Sequence, residues 1–277
     1  MKKISRRSFL AAAAVSAAAL AMTACGGSAS SAASSVASSA ASSTAAASGA
    51  AALSTVLAGK LTMATNATFP PYEMTTDSGE IEGIDVDTAK AIAEKLGLEL
   101  QVDDMEFDAA LLSVQQGKAD IVMAGVTVTD ERKAVMDFSD SYATGIQSII
   151  VPNDSDIASP DDLVGKKIGT QRGTTGYIYC SDDFGEDSVV AYDSGLTAVQ
   201  ALNNGQVDAV VIDNAPATQY VAANPGLKVL DTSYAEEDYA IGMAKGSALE
   251  DAINKALEEL KEDGTLQSIV DKYINAN

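Results

Sequence analysis

Two stretches of this chain repeat one pattern, and this repetition constrains the fold more than any other feature. Residues 113–125 (SVQQGKADIVMAG) and residues 201–213 (ALNNGQVDAVVID) each read as a helix end, a glycine, an aspartate and an apolar strand. Strands that alternate with helices indicate crossover connections and a largely parallel sheet covered by helices. The pattern therefore predicts an α/β chain with two lobes that face each other across a cleft.

The two repeats end on candidate site residues. Gly125 and Asp213 hold the same position, five residues after Asp120 and Asp208 respectively. Open α/β sheets bind ligands at the carboxyl ends of their strands. We therefore expect both loops to line the cleft, whereas Asp120 and Asp208 are expected to be turn residues rather than ligands.

The charge of the chain excludes some classes of partner. It contains 39 acidic and 18 basic residues and has a formal net charge of -21. Such a surface repels the phosphates of nucleic acids, so no nucleic acid partner is expected. After the N-terminal leader only two arginines remain, Arg132 and Arg172. A site for an anionic group must therefore concentrate little positive charge.

The first 25 residues predict an export signal. A basic start precedes an apolar run, and small residues precede Cys25. Residues 5–10 (SRRSFL) resemble a twin-arginine export motif, and residues 22–25 (MTAC) resemble a bacterial lipobox in which Leu is more usual than Met. We interpret residues 1–25 as a signal peptide with a lipidated Cys25; the alternative is a chance cysteine after an ordinary signal peptide. The Ser- and Ala-rich residues 26–56 are interpreted as a flexible tether.

Residues 123–142 contain the best candidate for anion binding. Thr129 is a suitable helix N-cap, so Arg132 is expected beside exposed backbone N–H groups at a helix start. A guanidinium can hold a carboxylate with two hydrogen bonds, and the Thr127 hydroxyl could donate to the same group. The alternative for Arg132 is an ion pair on a solvated surface.

A second glycine loop, at residues 171–176, reads as the link between a strand and a helix start. It lacks the Gly-Lys-Ser/Thr ending of a phosphate-binding P-loop, so nucleotide binding is not expected. Backbone N–H groups at Thr174 and Thr175 could hold a carboxylate, and this role is compatible with simple helix capping.

Three further residues have two readings each. Asp213 could accept hydrogen bonds from an ammonium group or cap the helix at residues 214–223. Phe69 and Phe107 stand in or beside turns at strand ends, where they could enclose the apolar part of a ligand or pack in the core. Cys180 is expected to be a buried small residue.

As a set, the motifs resemble the bacterial extracellular solute-binding proteins of family 3, the amino acid receptors of ABC importers. The resemblance begins near Lys60 and runs to the C-terminus. It is carried by FPPYE at residues 69–73, GIDVD at 83–87, AGVTVTDER at 124–132, FSDSY at 138–142, DDLVGKKIG at 161–169, GTT at 173–175 and ALEELKEDGTLQSIVDKY at 256–273.

This resemblance implies the two-lobed type II periplasmic-binding fold, in which each lobe has a mostly parallel sheet flanked by helices. Lobe 1 would contain residues 57–148 and 238–277, and lobe 2 residues 149–237, with two hinge crossings between them. An amino acid would dock on lobe 1, and lobe 2 would then rotate over it. No cofactor or metal is implied.

The resemblance also implies a ligand-binding role for individual residues. Arg132, Thr127 and the loop at Thr174 and Thr175 would hold the α-carboxylate. Asp213, the Gly125 carbonyl and the Thr127 hydroxyl would meet the α-ammonium, while aromatic rings enclose the side chain. The full predicted set is Asn66, Phe69, Phe107, Ala124, Gly125, Thr127, Arg132, Gln171, Thr174, Thr175 and Asp213.

The preferred side chain is expected to be neutral and polar, as in glutamine. Asn66 stands where receptors for cationic amino acids commonly have an acid, and Gln171 and Ile212 complete a neutral neighbourhood. Glu73 or Glu106 could reverse this preference by reaching the pocket. A cationic amino acid and a dicarboxylate therefore remain alternatives.

We thus expect a monomeric, membrane-anchored lipoprotein outside the cytoplasm that binds a free amino acid and delivers it to an ABC permease. A dehydratase-like enzyme is the first rival, but the chain has no histidine and no convincing pair of nucleophile and base. The second rival is a sensory ligand-binding module, although such modules usually carry transmembrane and signalling regions.

Overall fold

The computed structural model describes residues 53–274. The predicted signal peptide, Cys25 and the predicted tether up to residue 52 lie outside the described residues, as do residues 275–277. The strands are β1 (Lys60–Thr65), β2 (Thr68–Phe69), β3 (Glu73–Thr75), β4 (Ile81–Glu82), β5 (Glu99–Asp104), β6 (Ile121–Val122), β7 (Met136–Phe138), β8 (Ala143–Pro152), β9 (Ile168–Gln171), β10 (Val189–Tyr192), β11 (Ala209–Asp213), β12 (Leu227–Val229), β13 (Ala235–Tyr239) and β14 (Gly242–Ala244).

The α-helices alternate with these strands over most of the chain. They are α1 (Ile84–Leu96), α2 (Phe107–Gln115), α3 (Asp130–Lys133), α4 (Thr175–Phe184), α5 (Gly195–Asn203), α6 (Asn214–Ala222), α7 (Glu250–Glu262) and α8 (Thr265–Ile274). Two short 3-10 helices cover Pro160–Leu163 and Glu186–Ser188. Within residues 53–274, no helix has the length and apolar character needed to cross a bilayer.

The strands form two main sheets, one in each lobe. The first has the order β5-β1-β6-β14-β7, in which β1 is parallel to β5 and β6, and β14 is antiparallel to β6 and β7. The second has the order β10-β9-β11-β8-β12, with β9, β10 and β11 parallel and β8 antiparallel to β11 and β12. A small antiparallel sheet of β2, β3 and β4 completes the fold.

Helices cover both faces of each sheet. In the first sheet, one face packs against α1 and α7 around Leu61, Ile92 and Leu257, and the other packs against α2 around Val114. In the second sheet, the neighbouring residues Ile149 and Ile150 point to opposite faces, one towards α4 and the other towards α5 and α6. The predicted two-lobed α/β fold is confirmed, and its sheets are mixed, with parallel central strands and antiparallel returning strands.

Two adjacent strands join the lobes. The chain leaves the first sheet after β7 and enters the second as β8, and it returns through β13 to β14 of the first sheet. β13 pairs with β8 in antiparallel register, from Ala235 opposite Gln147 to Tyr239 opposite Ala143. Both crossings therefore lie side by side in one hydrogen-bonded ladder. The residue limits of the lobes themselves stay a prediction.

The turn residues of the two repeats are structural, as predicted. Asp120 is buried and accepts hydrogen bonds from the Thr62 backbone N–H at 2.8 Å and the Thr62 hydroxyl at 2.6 Å. Asp208 accepts one from the Lys167 N–H at 2.7 Å. Each carboxylate therefore ties a loop to a strand start, and neither lines the pocket described below. Cys180 is fully buried, which confirms its prediction.

Candidate functional site

One pocket gathers all the predicted ligand-binding residues. It lies between the two lobes, and the space that no atom fills is about 450 Å³, including solvent at its mouth. Its lining contains every residue of the predicted set from Asn66 to Asp213, together with Glu73, Gln147, Val211, Ile212 and Tyr239. The structure thus brings the predicted residues together, while their binding of a ligand stays a prediction.

Arg132 lies in the wall of this pocket rather than on the surface. Thr129 caps α3 and accepts a hydrogen bond from the Arg132 N–H at 3.2 Å. Arg132 is 9 % exposed; its Nη1 donates to the Thr127 carbonyl at 2.7 Å and its Nη2 to the Gly173 carbonyl at 3.1 Å. The alternative of a solvated surface ion pair is therefore wrong.

The environment of Arg132 combines burial with nearby negative charge. Burial lowers the pKa of the guanidinium below its ordinary value, and the carboxylate of Glu237 opposes this effect most strongly. The guanidinium carbon also lies 5.4 Å from the centroid of the Phe107 ring. A cation over an aromatic face is attracted by the electrons of the ring. Arg132 therefore keeps its charge and a fixed orientation in the pocket wall.

Phe69 and Phe107 each pack against other side chains and also line the pocket, so the structure is compatible with both roles considered for them. Phe107 is buried in the core beside α2 and also lines the pocket. Phe69 lines the pocket and stacks on Tyr72, with ring centroids 5.8 Å apart. Each ring is thus held by packing on one side and faces the pocket on another.

Several hydrogen bonds cross the cleft from one lobe to the other. The Gln171 amide of the second lobe donates to the Asn66 side-chain oxygen of the first lobe at 2.8 Å. The Tyr220 hydroxyl donates to the Thr68 carbonyl. With the Arg132 contact to Gly173, these bonds hold the pocket walls together.

The second glycine loop forms a helix start at the pocket. Thr174 is the N-cap of α4; its hydroxyl accepts from the Tyr177 N–H at 3.4 Å and donates to the Gln171 carbonyl at 2.8 Å. The first N–H groups of an α-helix have no partner within the helix. The amides of Thr175 and Gly176 therefore remain suited to an anion in the pocket.

Asp213 combines the two roles considered for it. It caps α6, where its Oδ1 accepts from the Ala215 N–H at 3.1 Å. Its Oδ2 accepts from the Tyr239 hydroxyl and the Ile146 N–H, both at 2.7 Å. Burial raises the pKa of Asp213 to about 6, although these hydrogen bonds partly oppose the rise. At pH 7 the carboxylate is mostly ionised and lines the pocket.

Glu237 is the main site residue that the sequence analysis missed. It lies on β13 and is 6 % exposed. Its Oε2 accepts three hydrogen bonds, from the Thr175 hydroxyl at 2.9 Å, the Gln147 amide at 3.0 Å and the Thr127 hydroxyl at 3.1 Å. In the structure the Thr127 hydroxyl thus donates to the carboxylate of Glu237, and its hydrogen is not free for the carboxylate of a ligand. Along β13 Glu237 and Tyr239 are buried and the acids between and before them are exposed, but the run of acids gives no sequence signal that singles out Glu237.

Glu73 reaches the pocket, whereas Glu106 does not. Glu73 is fully buried beside Asp85, and within residues 53–274 no N–H or hydroxyl group donates to either of its carboxyl oxygens. Burial and the neighbouring carboxylate of Asp85 raise the pKa of Glu73 well above its usual value, which favours its protonated form. Glu106 instead precedes α2 at an exposed position beside Arg172 and Asp193.

Asp85 supports the floor of the pocket from behind. Its Oδ2 accepts from the Gly125 N–H at 3.0 Å and from the Tyr142 hydroxyl at 2.8 Å, and burial raises its pKa to about 6. Among residues 53–274 no three His, Cys, Asp or Glu side chains are grouped as metal ligands.

Comparison with known proteins identifies the family. Residues 61–276 match the family model of the bacterial extracellular solute-binding proteins, family 3. The chain belongs to this family. This solute-binding protein is 36% identical to a probable histidine-binding protein of Neisseria gonorrhoeae, over 76% of this chain and 81% of the relative.

Two solved structures are similar to this solute-binding protein in fold and sequence. The arginine-, lysine-, histidine-binding protein ArtJ of Geobacillus stearothermophilus has a TM-score of 0.75 and 34% identity, and the match covers 79% of this chain and 96% of ArtJ. An ancestral arginine-binding protein bound to glutamine has a TM-score of 0.74 and 42% identity, and the match covers 79% of this chain and 99% of the ancestral protein. The solute-binding protein described here is thus an extracytoplasmic, amino-acid-binding component of an ABC transporter rather than an enzyme.

Proposed function

We propose that this solute-binding protein captures an amino acid with a neutral, polar side chain, such as glutamine, and delivers it to the permease. The charge balance of the pocket lining carries the proposal. Among the described residues that line it, Arg132 supplies one positive charge and Asp213 one negative charge at pH 7, while burial favours neutral Glu73. This pair matches the two charges of a free amino acid and leaves a neutral side chain to be accommodated.

The predicted residues then have distinct roles. Arg132 and the amides at the start of α4 hold the α-carboxylate, because a guanidinium fork and a helix N-terminus both favour an anion. Asp213 and the Gly125 carbonyl accept hydrogen bonds from the α-ammonium. Phe69 and Phe107 flank the side chain, whose polar end meets Asn66 and Gln171. Ala124 contributes backbone to the same wall.

Lobe closure completes the site in this proposal. The ligand docks on the lobe that carries Arg132, and rotation of the other lobe adds Thr175 and Asp213. Closure removes water from both charged ends, so the electrostatic interactions become stronger. The proposed lobes are residues 57–148 with 238–277, and residues 149–237.

A cationic amino acid is the second candidate, and Glu73 is the observation that favours it. A buried carboxyl whose two oxygens lack partners suits a guanidinium or ammonium group. The names of ArtJ and of the ancestral arginine-binding protein also include cationic amino acids. A dicarboxylate has less support, because it would bring a second anion towards Glu73 and Asp213.

A calorimetric screen of the twenty amino acids tests the proposal and separates the candidates. We expect glutamine to bind with a Kd below about 100 μM, which corresponds to roughly -5.5 kcal/mol. A cationic ligand would ionise Glu73 and release a proton, so its binding enthalpy would change with the ionisation enthalpy of the buffer. Tight arginine binding with proton release would replace glutamine by the second candidate, and binding of no amino acid would contradict both.

The affinity for the amino acid is expected to fall as the pH falls through about 6. Protonated Asp213 cannot pair with an ammonium group, and burial raises its pKa to about 6. From pH 7.5 to pH 5 the Kd should rise about tenfold, because a carboxyl is about 90% protonated when the pH is one unit below its pKa. Calorimetry across this range measures the change.

The variant Asp213→Asn is the control for this pH dependence. Asparagine keeps an acceptor oxygen for the helix cap but does not titrate. Binding should be weaker at every pH, and the tenfold change should disappear. An unchanged pH profile in this variant would assign the titration to another group, of which Asp85 is the first to test.

The N-terminus is proposed to anchor this domain to the membrane. In this proposal residues 1–25 direct export by the twin-arginine route, Cys25 carries the lipid, and residues 26–56 form the tether of a monomeric receptor. We expect Cys25→Ser to move the protein from the membrane fraction to the soluble fraction without changing amino acid affinity. Cys180→Ser, at a fully buried position, is the matched control, and it should leave membrane attachment intact. Membrane retention of Cys25→Ser would contradict the anchor.

A further inference from the structure

We infer that Glu237 is a positioning residue that orients three pocket side chains as hydrogen-bond acceptors and thereby selects for the α-ammonium group. The inference rests on the proposed function and adds a determinant that does not itself line the pocket. Glu237 lies on the returning hinge strand β13, behind Thr127, Thr175 and Gln147. Those three residues line the pocket.

The two threonine hydroxyls are limited by the single hydrogen that each carries. A threonine hydroxyl has one hydrogen to donate and two lone pairs to accept with. Both Thr127 and Thr175 donate that hydrogen to the Oε2 of Glu237, at 3.1 Å and 2.9 Å. Neither has a second hydrogen for a ligand, and their oxygens lie 3.4 Å apart, so a hydrogen turned away from Glu237 would be accepted by the other hydroxyl. Each hydroxyl can therefore only accept from a ligand.

The same carboxylate determines the direction of an amide. The Nε2 of Gln147 donates to Glu237 at 3.0 Å, so the other end of the amide is the oxygen. That Oε1 is buried and has no hydrogen-bond partner in the described structure. An unsatisfied buried acceptor is costly, and a ligand donor would remove that cost. Gln147 thus adds a third acceptor to the two hydroxyl oxygens.

Three acceptors supported by one carboxylate suit a group with several hydrogens. An ammonium has three donors and no acceptor, and the carboxylate of Asp213 lines the same pocket. An α-carboxylate finds no donor among these three side-chain atoms and depends instead on Arg132 and the backbone amides of α4. Glu237 thereby separates the two charged ends of the ligand.

The test measures the binding of two ligands to each protein variant, an amino acid and its analogue without the α-ammonium group. The probes are L-glutamine and its deamino analogue glutaramate, or L-arginine and δ-guanidinovalerate where the screen returns arginine. The measured quantity is the ratio of the two Kd values. Wild-type protein is expected to bind the deamino analogue at least 100-fold more weakly, about 2.7 kcal/mol. In Glu237→Ala the freed hydroxyls can donate to the carboxylate, so the ratio should fall about tenfold.

Glu237→Gln tests whether orientation is the cause. Its amide oxygen can accept the same three hydrogen bonds while its NH2 group takes the position of Oε1, which has no partner. The ratio should remain within about threefold of the wild type, and this would be rescue by a conservative variant. A Gln variant that behaves like the Ala variant would assign the effect to charge and would overturn the positioning role.

Glu236→Ala is the matched control, because Glu236 is the exposed neighbour on the same strand. It should leave both affinities unchanged. A purely structural role of Glu237 would weaken both ligands equally and leave the ratio unchanged, and this result would overturn the inference. Failure of wild-type protein to bind any amino acid would instead contradict the proposed function itself.

Discussion

Replacing Arg132 by alanine is expected to raise the Kd for the amino acid at least 100-fold, about 2.7 kcal/mol. Among residues 53–274, Arg132 is the only arginine that lines the pocket, and its guanidinium is fixed by the carbonyls of Thr127 and Gly173 and by the Phe107 ring. Removal of one partner from a buried charged pair costs several kcal/mol, because the other charge stays desolvated. Isothermal calorimetry measures the loss, and circular dichroism checks that the variant is folded.

Two variants make this result specific. Arg172→Ala removes the other arginine of the domain, which is exposed and lies 3.4 Å from Asp193, and it should change the Kd less than twofold. Arg132→Lys keeps the charge but loses the planar fork, so its affinity should lie between those of the wild type and the Ala variant. Arg132→Ala protein that is folded and binds like the wild type would contradict the proposed carboxylate site.

Replacing Gly83 by alanine is expected to lower the free energy of unfolding by about 3 kcal/mol or more. Gly83 is the N-cap of α1 and has a φ of 142°, and an added Cβ would lie 2.1 Å from the Tyr72 carbonyl oxygen. This neighbour is backbone, so no side-chain rotation can relieve the overlap. The segment that would have to move carries Tyr72 and Glu73. Urea unfolding followed by circular dichroism measures the effect.

Gly97→Ala is the control at the opposite end of the same helix. Gly97 caps α1 with a φ of 70°, but an added Cβ would have no atom within 4 Å. Only the left-handed backbone conformation is then penalised, by about 1–2 kcal/mol. Equal destabilisation by the two substitutions would contradict the steric argument. Gly83→Ala should also weaken ligand binding, whereas Gly97→Ala should not.

Much of the fold could be predicted because local signals agreed with one another. The apolar spacing of residues 87–96 and the glycine that follows them are typical of a capped helix, and the structure ends α1 at Leu96 with Gly97 in the left-handed conformation. The apolar strand predicted within the first repeat is short, since it covers only Ile121 and Val122. Hydrophobic spacing and cap residues show where a helix or strand lies, but the length of a strand depends on its pairing partners in distant parts of the chain.

The site was predictable where chemistry and position coincided. Arg132 follows a recognisable N-cap, and Asp213 ends a strand in the second repeat, so each could be proposed from its own neighbourhood. Glu237 has no such neighbourhood, because its three partners lie 62 to 110 residues away in the chain. In a segment with several acids, burial alone distinguishes Glu237 from exposed Glu236 and Asp238. Burial of that kind is set by the tertiary fold.

The pairing of β8 with β13 has a mechanical consequence. Both crossings belong to one hydrogen-bonded ladder. In the proposed rotation of the lobes, β8 and β13 would therefore bend together rather than independently. In a rigid rotation the arc travelled by an atom grows with its distance from the axis. Gln147 and Glu237 lie on these strands, so in the proposed closure they would travel least and would keep the hydrogen bond that joins them.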